Sequence, residues 1–585
     1  MQRQIPYLAV SEPNPRTVQY RSSVLSDFFS ELKRRRVIRV AVVYVIVGWG
    51  VVQFAETVFE PLQLPEWSVT LVILLVLLGF PISVVLAWAF DITDRGVERT
   101  RRVTARDGAA TEAQTGSPAG ADSTALQPNS VAALPFMNLS GDPAQDYISD
   151  GVTEELINAM SRLRVLRVAA RTSSFAFRHT QLDAREIGRK LGVASLIEGS
   201  VRFVDDRLRL SVQLVSTSDG WTIWSETYDR EMRDVFVVQR EIAHEIASRL
   251  GAAQRIEAPA PPRVETHDAD AFKLYLKGRF FWNKRTPDDL RRAIAHFDRA
   301  LELAPDFALA HAGVADAYAI LLDYGLISTA DGLERVRRGA EEALRLDPSL
   351  AEAFTSLALA RQMEWQWREA EQSFVRSIEL RPDYPVARQR FALFLAWTGR
   401  SEQAATQIDE ALRIDPLSAV ITATTGWVSY YARQYDRAEE QLVRALELDP
   451  RLPTARVARG LVALQQDRPA DAVVEHQRAL DDSGGSAPMR ALLVVSLARS
   501  GEMDAARSHL GIMQQAAATR FVSPYYLAIA HLGLGELDAA LDRLDQARDE
   551  RAAQLIYLRA EPLVDPLRNQ PRFRRLLELT GLAAV

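Results

Sequence analysis

The chain has 585 residues, more than one hydrophobic core accommodates, and we expect three or four structural units. Its formal net charge is −6, so bulk charge predicts neither nucleic-acid binding nor unusual acidity. The absence of cysteine excludes disulfides, thiolate zinc sites, iron–sulfur clusters and cysteine nucleophiles. The abundance of Ala, Leu and Arg favours a mostly helical chain.

Residues 1–94 predict a disordered start followed by a membrane hairpin. Residues 1–22 are polar, contain proline and lack the order of regions found in a cleavable signal sequence. Residues 23–94 contain two apolar stretches, which predict spans over about 37–59 and 69–90. About 20 helical residues cross a bilayer core, so the 22 uncharged residues of the second stretch suffice. The first stretch is shorter, and it either spans with help from its flanking residues or lies in the interface.

Basic residues on both sides of the hairpin predict its orientation. Five basic residues precede the first span, five arginines follow the second, and the stretch 56–67 around the turn has three glutamates and no Lys or Arg. Because positive residues stay in the cytoplasm, both ends of the hairpin are expected on the cytoplasmic side of a bacterial inner membrane. No charged residue lies in the middle of either span, which favours a plain anchor over a transport or sensing role. The flanking residues are Lys33, Arg34, Arg35, Arg36 and Arg39, and then Arg95, Arg99, Arg101, Arg102 and Arg106.

Residues 95–130 are rich in Ala, Gly, Ser and Thr and predict a flexible linker. Residues 131–252 predict a small α/β sandwich domain with the element order βαβαβββα. Its clearest signal is the alternation of apolar and polar residues along 194–204 and 207–215, which predicts two paired strands joined by a two-residue turn. The other predicted strands cover 131–136, 165–170 and 221–228, and the predicted helices cover 153–163, 183–191 and 235–250.

Four short motifs in this domain resemble the TolB amino-terminal and FlgO-like domain. They are residues 131–136 (VAALPF), 150–156 (DGVTEEL), 197–201 (IEGSV) and 224–230 (WSETYDR). The resemblance implies protein–protein or scaffolding work, with no catalytic residues to carry over. In bacterial signalling proteins with such a domain, a nucleotide cyclase domain or a winged-helix DNA reader can precede the membrane segment. Only about 30 residues precede the first predicted span, and we expect neither module there. TolB and FlgO act in the cell envelope, whereas the charge pattern of this chain predicts a cytoplasmic domain.

Four acidic residues near the start of this domain admit a chemical and a structural interpretation: Asp146, Asp150, Glu154 and Glu155. Clustered carboxylates bind metal ions or transfer protons. Acidic residues in a turn and in the first turn of a helix also stabilise the helix N-terminus. We favour the structural interpretation.

A second polar cluster places Ser173 and Ser174 between Arg171 and Arg178. Such a loop either holds an anion or is simply polar, and we favour the polar loop. The chain has no Gly-rich phosphate loop, no HExxH pair and no GxSxG elbow. Its eight histidines lack metal-ligand spacing. We therefore predict no enzymatic activity, no cofactor and no metal site.

Residues 253–268 are rich in proline and predict a stiff linker into a repeat array. Pro348, Pro382, Pro416 and Pro450 then follow at intervals of 34 residues, most of them closing a phrase such as ALRLDP or ALELDP. Proline ends a helix because it cannot continue the backbone bonding. A fixed period near 34 is typical of stacked helical hairpins.

Positions inside this period resemble the tetratricopeptide repeat. A small residue recurs where two helices approach, a bulky residue follows four positions later on the same helical face, and the match breaks at His476. The resemblance predicts about eight helix pairs within 269–550, and residues 551–585 as a cap on the last repeat. The small residues are Ala370, Ala404, Ala438 and Ala472, and the bulky residues are Phe374, Ile408 and Leu442.

In this repeat family the first helices line a groove. The groove positions carried over to this chain are Gln389, Leu393 and Trp397 in one repeat and Trp427, Tyr430 and Tyr431 in the next. An aromatic, weakly charged groove suits an extended peptide or a helix with apolar side chains. Alternatively, these aromatic residues pack between adjacent repeats.

The predicted protein is therefore multi-domain, with a transmembrane α-hairpin, a small α/β sandwich domain and an all-α tetratricopeptide-type solenoid. We expect a membrane-anchored, non-enzymatic adaptor in bacterial signalling or envelope processes. It would contact lipid through the hairpin and protein or peptide partners through the repeats, and it would not bind nucleic acid. The alternative is a regulatory or sensor subunit whose α/β domain binds a ligand and which acts on a cyclase or transcription factor in trans. The sequence does not predict an oligomeric state.

Overall fold

The computed structural model describes residues 90–93, 96–99, 128–204, 207–252, 266 and 268–583. The predicted disordered start and the predicted membrane spans lie outside these residues, apart from Phe90. Within the described ranges, no helix has both the length and the apolar composition that a membrane crossing requires. The chain divides into two compact units, residues 1–121 and 122–585.

In the first unit, strand β1 (Phe90–Thr93) pairs antiparallel with strand β2 (Gly96–Arg99). Phe90 is the last residue of the second predicted span, and β2 falls at the start of the predicted linker over 95–130. The rest of that linker, up to residue 127, lies outside the described residues.

The second unit begins with a small α/β domain. Its strands are β3 (Ser130–Ala133), β4 (Met137–Asn138), β5 (Arg167–Val168), β6 (Ser195–Val204), β7 (Arg207–Ser216) and β8 (Thr222–Glu231). Its helices are α1 (Asp146–Arg162), α2 (Arg171–Phe175), α3 (Ala184–Leu191) and α4 (Val235–Arg249). The strands form one mixed sheet in the order β5–β3–β6–β7–β8, with β4 beside β6. The predicted α/β region is thus confirmed as a small mixed sheet with helices on it.

The alternating pattern of β7 builds the core of this domain. Leu208, Leu210, Val212 and Leu214 are at most 2% exposed, because one face of the strand meets α1 and α4. The predicted hairpin is confirmed, since β6 and β7 pair antiparallel with Val204 opposite Arg207. Helix α1 starts seven residues earlier than predicted. Three of the four acidic residues discussed above therefore lie inside this helix rather than in its first turn.

The rest of the second unit is a helical solenoid of eight described hairpins, as the period predicts. Hairpins 1 to 4 are Ala269–Lys284 with Pro287–Leu303, Ala308–Asp323 with Thr329–Leu346, Ala351–Met363 with Trp367–Leu380, and Pro385–Trp397 with Ser401–Ile414. Hairpins 5 to 8 are Ala419–Tyr431 with Tyr435–Leu448, Pro453–Gln465 with Pro469–Asp482, Ala487–Arg499 with Met503–Ala517, and Pro524–Gly533 with Leu537–Asp549. We call the surface formed by the first helix of each hairpin the first-helix face.

The prolines spaced by 34 residues, which we call the proline ladder, follow the ends of second helices. This confirms the tetratricopeptide-type solenoid. In hairpins 2 to 5 the second helix stops two residues before the proline, at Leu346, Leu380, Ile414 and Leu448. In hairpins 1, 5 and 6 a large residue of the second helix packs against a glycine of the first helix. A Cβ atom on Gly426 would lie 2.6 Å from Leu442 Cγ.

The irregular residue of the pattern, His476, occupies the bulky position of hairpin 6. Its ring packs against Gly460, which has no side chain to exclude it. The imidazole is completely buried, with Nδ1 2.6 Å from Ser496 Oγ. Burial lowers the pKa of His476 to about 4, so the ring is neutral at neutral pH.

After the eighth hairpin, residues 551–583 form what we call the C-terminal segment. It contains two short 3-10 helices, Ala553–Tyr557 and Pro562–Leu567, and an α-helix, Pro571–Leu579. Arg572 contacts the last hairpin through Asp542 and Asp545, at 2.9 and 2.5 Å. Gln554, Tyr557 and Glu561 contact the first-helix face. The backbone oxygen of Thr580 accepts from Trp367 Nε1, at the start of the second helix of hairpin 3.

Candidate functional site

Four of the six residues predicted to line a groove form one aromatic cluster on the first-helix face of hairpins 4 and 5, namely Trp397, Trp427, Tyr430 and Tyr431. The ring centroids of Tyr431 and Trp427 lie 5.7 Å apart, and those of Tyr431 and Trp397 lie 6.5 Å apart. Tyr430 completes the cluster, 5.3 Å from Tyr431. Gln389 donates from Nε2 to Thr424 Oγ1 at 2.8 Å and so links the two repeats.

The C-terminal segment covers much of this aromatic cluster. The ring of Tyr557 lies 4.9 Å from the ring of Trp397. The hydroxyl of Tyr430 donates to Glu561 Oε1 at 2.6 Å. Burial raises the pKa of Glu561, although the bond from Tyr430 partly offsets that rise.

Burial divides the six predicted residues into two groups. Tyr430, Trp397 and Gln389 are only 0%, 5% and 7% exposed, respectively. Leu393, Trp427 and Tyr431 are half-buried and reach the surface. We call these last three residues the open strip. No local sequence pattern indicates that the C-terminal segment occupies this face.

The C-terminal segment also joins distant parts of the solenoid. Gln554 donates from Nε2 to the backbone oxygen of Leu322 in hairpin 2 and accepts from the hydroxyl of Ser523 at the start of hairpin 8. The Tyr557 hydroxyl donates to Asp323 Oδ1 at 2.8 Å. Hairpins 2 and 8 therefore meet around the C-terminal segment. Leu322 and Gln554, which are hydrogen-bonded to each other, are 232 residues apart in sequence.

The burial of its apolar side chains makes the C-terminal segment part of the fold. Leu555, Leu558, Val564, Leu567 and Phe573 are completely buried. Each such side chain contributes about 1.5–3 kcal/mol, so together they contribute on the order of 10 kcal/mol. We therefore expect a partner to bind beside the segment rather than to displace it.

The acidic residues of α1 hold the α/β domain against the first hairpin. Glu154 lies 2.8 Å from Arg171 Nε, accepts from Arg279 Nε at 3.0 Å, and accepts from Asn283 Nδ2 at 3.1 Å. Burial raises the pKa of a carboxyl group, but the charges of Arg279 and Arg171 outweigh it and leave the pKa of Glu154 lowered.

The neighbours of Glu154 are also engaged. Glu155 accepts from the hydroxyl of Tyr275 at 3.1 Å, and burial raises the pKa of Glu155. Asp150 accepts from Arg178 within the α/β domain. The expectation that these acids simply stabilise a helix N-terminus is wrong for Asp150, Glu154 and Glu155, because α1 begins earlier and buries them.

A second contact joins the predicted polar loop to the solenoid. The backbone N–H and the hydroxyl of Ser173 donate to Asp415 Oδ1 at 3.0 and 2.6 Å. The expectation of a polar loop is wrong, because Ser173 and Ser174 lie in the short helix α2 and are buried. Ser173 does hold an anionic group, and that group is a carboxylate of the same chain. Asp449 is the equivalent residue in the turn before Pro450, which the α/β domain does not touch. There Asp449 accepts from the backbone N–H of Arg451 in the same turn.

The adjacent ladder turn contributes a third contact. Arg164 donates from Nη2 to the backbone oxygens of Glu379 and Leu380, at 3.3 and 2.7 Å. These oxygens end the second helix of hairpin 3, where the helix dipole favours a cation. Two consecutive inter-hairpin turns thus form the dock of the α/β domain. In the part of the chain that the structure describes, no group of three or more His, Asp or Glu residues is arranged to hold a metal ion.

The fold and these contacts define a class: a protein with a tetratricopeptide-type helical-repeat solenoid and a small α/β domain docked on it. No protein-family model matches the sequence. The chain is 36% identical over 251 residues to putative adenylate cyclase 3 of Rhizobium meliloti (strain 1021), which is 41% of this chain and 42% of that protein. It is 23% identical over 174 residues to the transcriptional regulator HilA of Salmonella typhimurium. The matched residues make up 30% of this chain and 32% of HilA.

The mitochondrial import receptor subunit TOM70 of Rattus norvegicus is 24% identical over 162 residues, 28% of this chain and 26% of that protein. The chain thus spans less than half the length of these curated relatives. Among solved structures, the pilus biogenesis factor PilW shares 19% identity over 37% of this chain and 96% of its own, with a TM-score of 0.29. The Cut9–Hcn1 complex shares 17% identity over 58% and 59%, with a TM-score of 0.38.

Proposed function

We propose that the chain is a membrane-anchored, non-enzymatic scaffold that binds a protein partner through the open strip of Leu393, Trp427 and Tyr431. The observation that carries this proposal is the way the first-helix face holds the chain's own C-terminal segment. A tilted ring contact between Tyr557 and Trp397 and a hydrogen bond from Tyr430 to Glu561 hold a segment of two short 3-10 helices there. The half-buried aromatic residues beside it offer the same chemistry to an apolar or aromatic stretch of a partner.

The test compares cross-linked partners of the full-length protein in bacterial membranes. We expect Trp427→Ala to lose a specific subset of partners, because the indole supplies apolar area at the centre of the open strip. The matched control is Phe281→Ala, which removes an aromatic ring that stacks on His296 of hairpin 1, outside the open strip. Circular dichroism of both variants checks that the solenoid stays folded. Identical partner sets for the wild type and Trp427→Ala would remove the open strip as the binding site.

We also propose that the scaffold is anchored in a bacterial inner membrane with its folded domains in the cytoplasm. The two apolar stretches and the basic residues that flank them support this location. A cytoplasm-specific reporter fused after Val585 should be active. Activity of a periplasm-specific reporter at the same position would refute the orientation.

The engagement of the acidic residues supports a non-enzymatic role for the α/β domain. Glu154 already accepts from Arg279 and Asn283, and Asp150 accepts from Arg178. A general acid or base needs access to substrate, which these contacts obstruct. The proposal fails if the purified full-length protein turns over a nucleoside triphosphate and Asp150→Asn abolishes that turnover.

A second candidate is a regulatory subunit that acts on a nucleotide cyclase or a transcription factor in trans. The names of two relatives, a putative adenylate cyclase and a transcriptional regulator, support it. In this case the α/β domain senses a ligand, and the docked turns at Leu380 and Asp415 pass the change to the solenoid. Thermal melting of the full-length protein with a panel of metabolites should then show a ligand-dependent shift. The absence of any shift would count against this candidate.

A further inference from the structure

Strand β8 forms one edge of the sheet in the α/β domain. Among the described residues it pairs with β7 alone, from Thr222 to Glu231, with a bulge that leaves Ile223 without a partner on β7. The opposite edge, β5, has only two residues. An edge strand presents a row of unpaired backbone N–H and C=O groups, and native proteins usually keep such edges short or covered. A ten-residue open edge therefore needs an explanation.

The side chains along this edge are exposed and partly apolar. Seven of the ten residues of β8 are exposed, and only Trp224 and Tyr228 are buried. At the start of the strand, Trp221 is 77% exposed and Ile223 is 42% exposed. A large exposed aromatic residue beside an open strand edge is a natural anchor for a partner.

Acidic side chains flank the same edge. The hydroxyl of Tyr228 donates to Glu226 at 3.2 Å. Burial raises the pKa of Tyr228, and so do Glu226, Glu241 and Glu245, which places these acids from β8 and α4 around one hydroxyl.

Some of the local charges are already paired. Arg249 pairs with Glu245 at 2.7 Å, and Arg207 and Arg209 pair with Asp229 at 2.7 and 2.8 Å. Glu226 and Glu241 have no cationic partner in the part of the chain that the structure describes. Arg230 is the basic residue of the strand itself, and its Nη1 donates to the backbone oxygen of Asp229.

A second copy of this chain is a poor partner for this edge. Two β8 strands related by a two-fold axis would pair antiparallel, with the axis near the middle of the strand. Glu226 lies at the middle of β8, so it would face or adjoin Glu226 of the second copy. The acidic residues of α4 in the two copies would also come close to each other. Like charges placed opposite each other destabilise a strand pair.

We propose that β8 is a docking edge for an extended segment of a protein partner that carries Lys or Arg at alternate positions. The partner strand adds to the sheet through main-chain hydrogen bonds. Because side chains alternate between faces, its basic residues meet Glu226 and Glu241 on one face. An apolar residue near the end of the partner strand packs on Trp221. This surface is separate from the open strip, so the two proposals stand or fall independently.

The test uses the full-length protein in detergent and a labelled ten-residue peptide of alternating Lys and Thr that ends in Val. An otherwise identical peptide with Glu in place of Lys is the charge control. We expect fluorescence anisotropy to show binding of the Lys peptide alone. Amide hydrogen exchange of Thr222–Glu231 should slow on binding, because new main-chain hydrogen bonds protect the edge.

Two double variants distinguish binding at the β8 edge from a general attraction of the basic peptide to an acidic protein. Glu226→Gln with Glu241→Gln should weaken binding of the Lys peptide at least tenfold. Glu402→Gln with Glu447→Gln, at exposed positions of the solenoid, changes the net charge equally and should leave binding unchanged. An equal loss in both variants, or unchanged exchange at Thr222–Glu231, would overturn the proposal. Self-association through β8 would overturn it too.

Discussion

Ser173 and Asp415 are 242 residues apart in sequence, yet two donors of Ser173 meet one carboxylate oxygen of Asp415. The Ser173 hydroxyl also accepts from the backbone N–H of Leu417 at 2.9 Å. Ser173 of the α/β domain therefore caps a turn of the solenoid. It donates to Asp415, whereas in the turn at Asp449 the backbone N–H of Arg451 is the donor. This contact makes the position of the domain on the repeats specific, because only one of the ladder turns is capped in this way.

We predict that Ser173→Ala destabilises the docking of the α/β domain by about 1–3 kcal/mol, because it removes one donor from a buried carboxylate and one acceptor from Leu417. The matched control is Ser174→Ala. Ser174 is equally buried, but its hydroxyl has no hydrogen-bond partner in the described part of the chain. Hydrogen exchange of residues 413–418 measures the local opening free energy. Equal effects of the two substitutions would contradict the assigned contact.

The same contact should depend on pH. Burial raises the pKa of Asp415 from 3.8 to about 6 in the folded protein. The folded state thus binds this proton more tightly than the unfolded chain does. The contribution to stability is complete below about pH 4 and is lost as the pH rises through about 6.

Asp415→Asn should remove this pH dependence. A difference of about two pKa units corresponds to about 3 kcal/mol. The wild type should therefore lose up to about 3 kcal/mol relative to Asp415→Asn between pH 4 and pH 7. Urea unfolding of both proteins at several pH values measures the difference between their free energies of unfolding. The other titrating groups are the same in both proteins, so their contributions cancel in this difference. A difference that does not change with pH would show that Asp415 is not titrating in this range.

The C-terminal segment provides a third prediction. Tyr430→Phe removes the donor to Glu561 while it keeps the ring, and leaves a buried carboxyl group with one fewer partner. We expect a loss of about 1–3 kcal/mol in the free energy of unfolding. Tyr318→Phe, at a half-buried ring in hairpin 2, is the control. Limited proteolysis after residue 551 should also become faster in Tyr430→Phe alone. If cleavage rates match the control, the segment is not held at this point.

Two glycines of the solenoid should respond in opposite directions to substitution by alanine. A Cβ atom on Gly426 would lie 2.6 Å from Leu442 Cγ, so Gly426→Ala forces the two helices of hairpin 5 apart. We expect a loss of about 1–3 kcal/mol. Gly511 lies in the second helix of hairpin 7 with open space at its Cβ position. Gly511→Ala should therefore gain about 0.5–1 kcal/mol, because alanine has the higher helix propensity. Thermal melting of both variants tests this pair, and a stabilising Gly426→Ala would refute the close packing.

Much of the fold could be predicted from the sequence because its signals are local. The spacing of Pro348, Pro382, Pro416 and Pro450 reports helix ends, which depend on backbone bonding within one turn. The alternation along β7 reports which face of a strand is buried. The start of α1 was missed because its first turns carry polar residues and Gly151, which lack an apolar helical period.

The candidate site could be predicted only in part. The sequence placed Trp397, Trp427 and Tyr430 on one face of adjacent repeats, since the repeat period fixes which residues point the same way. It did not reveal that Tyr557 and Glu561 would cover two of them. That contact depends on how far the solenoid curves over eight hairpins, which is a sum of small rotations that no single repeat specifies.

The sequence by itself determined the helical hairpins, the strand faces and the identity of the aromatic residues on the first-helix face, because each follows from spacing along the chain. Only the tertiary structure decided that Glu154 and Asp415 bind partners across the domain boundary and that the C-terminal segment closes over the repeats. Such contacts join residues more than a hundred positions apart. Their formation depends on the packing of whole elements, and no local pattern encodes it.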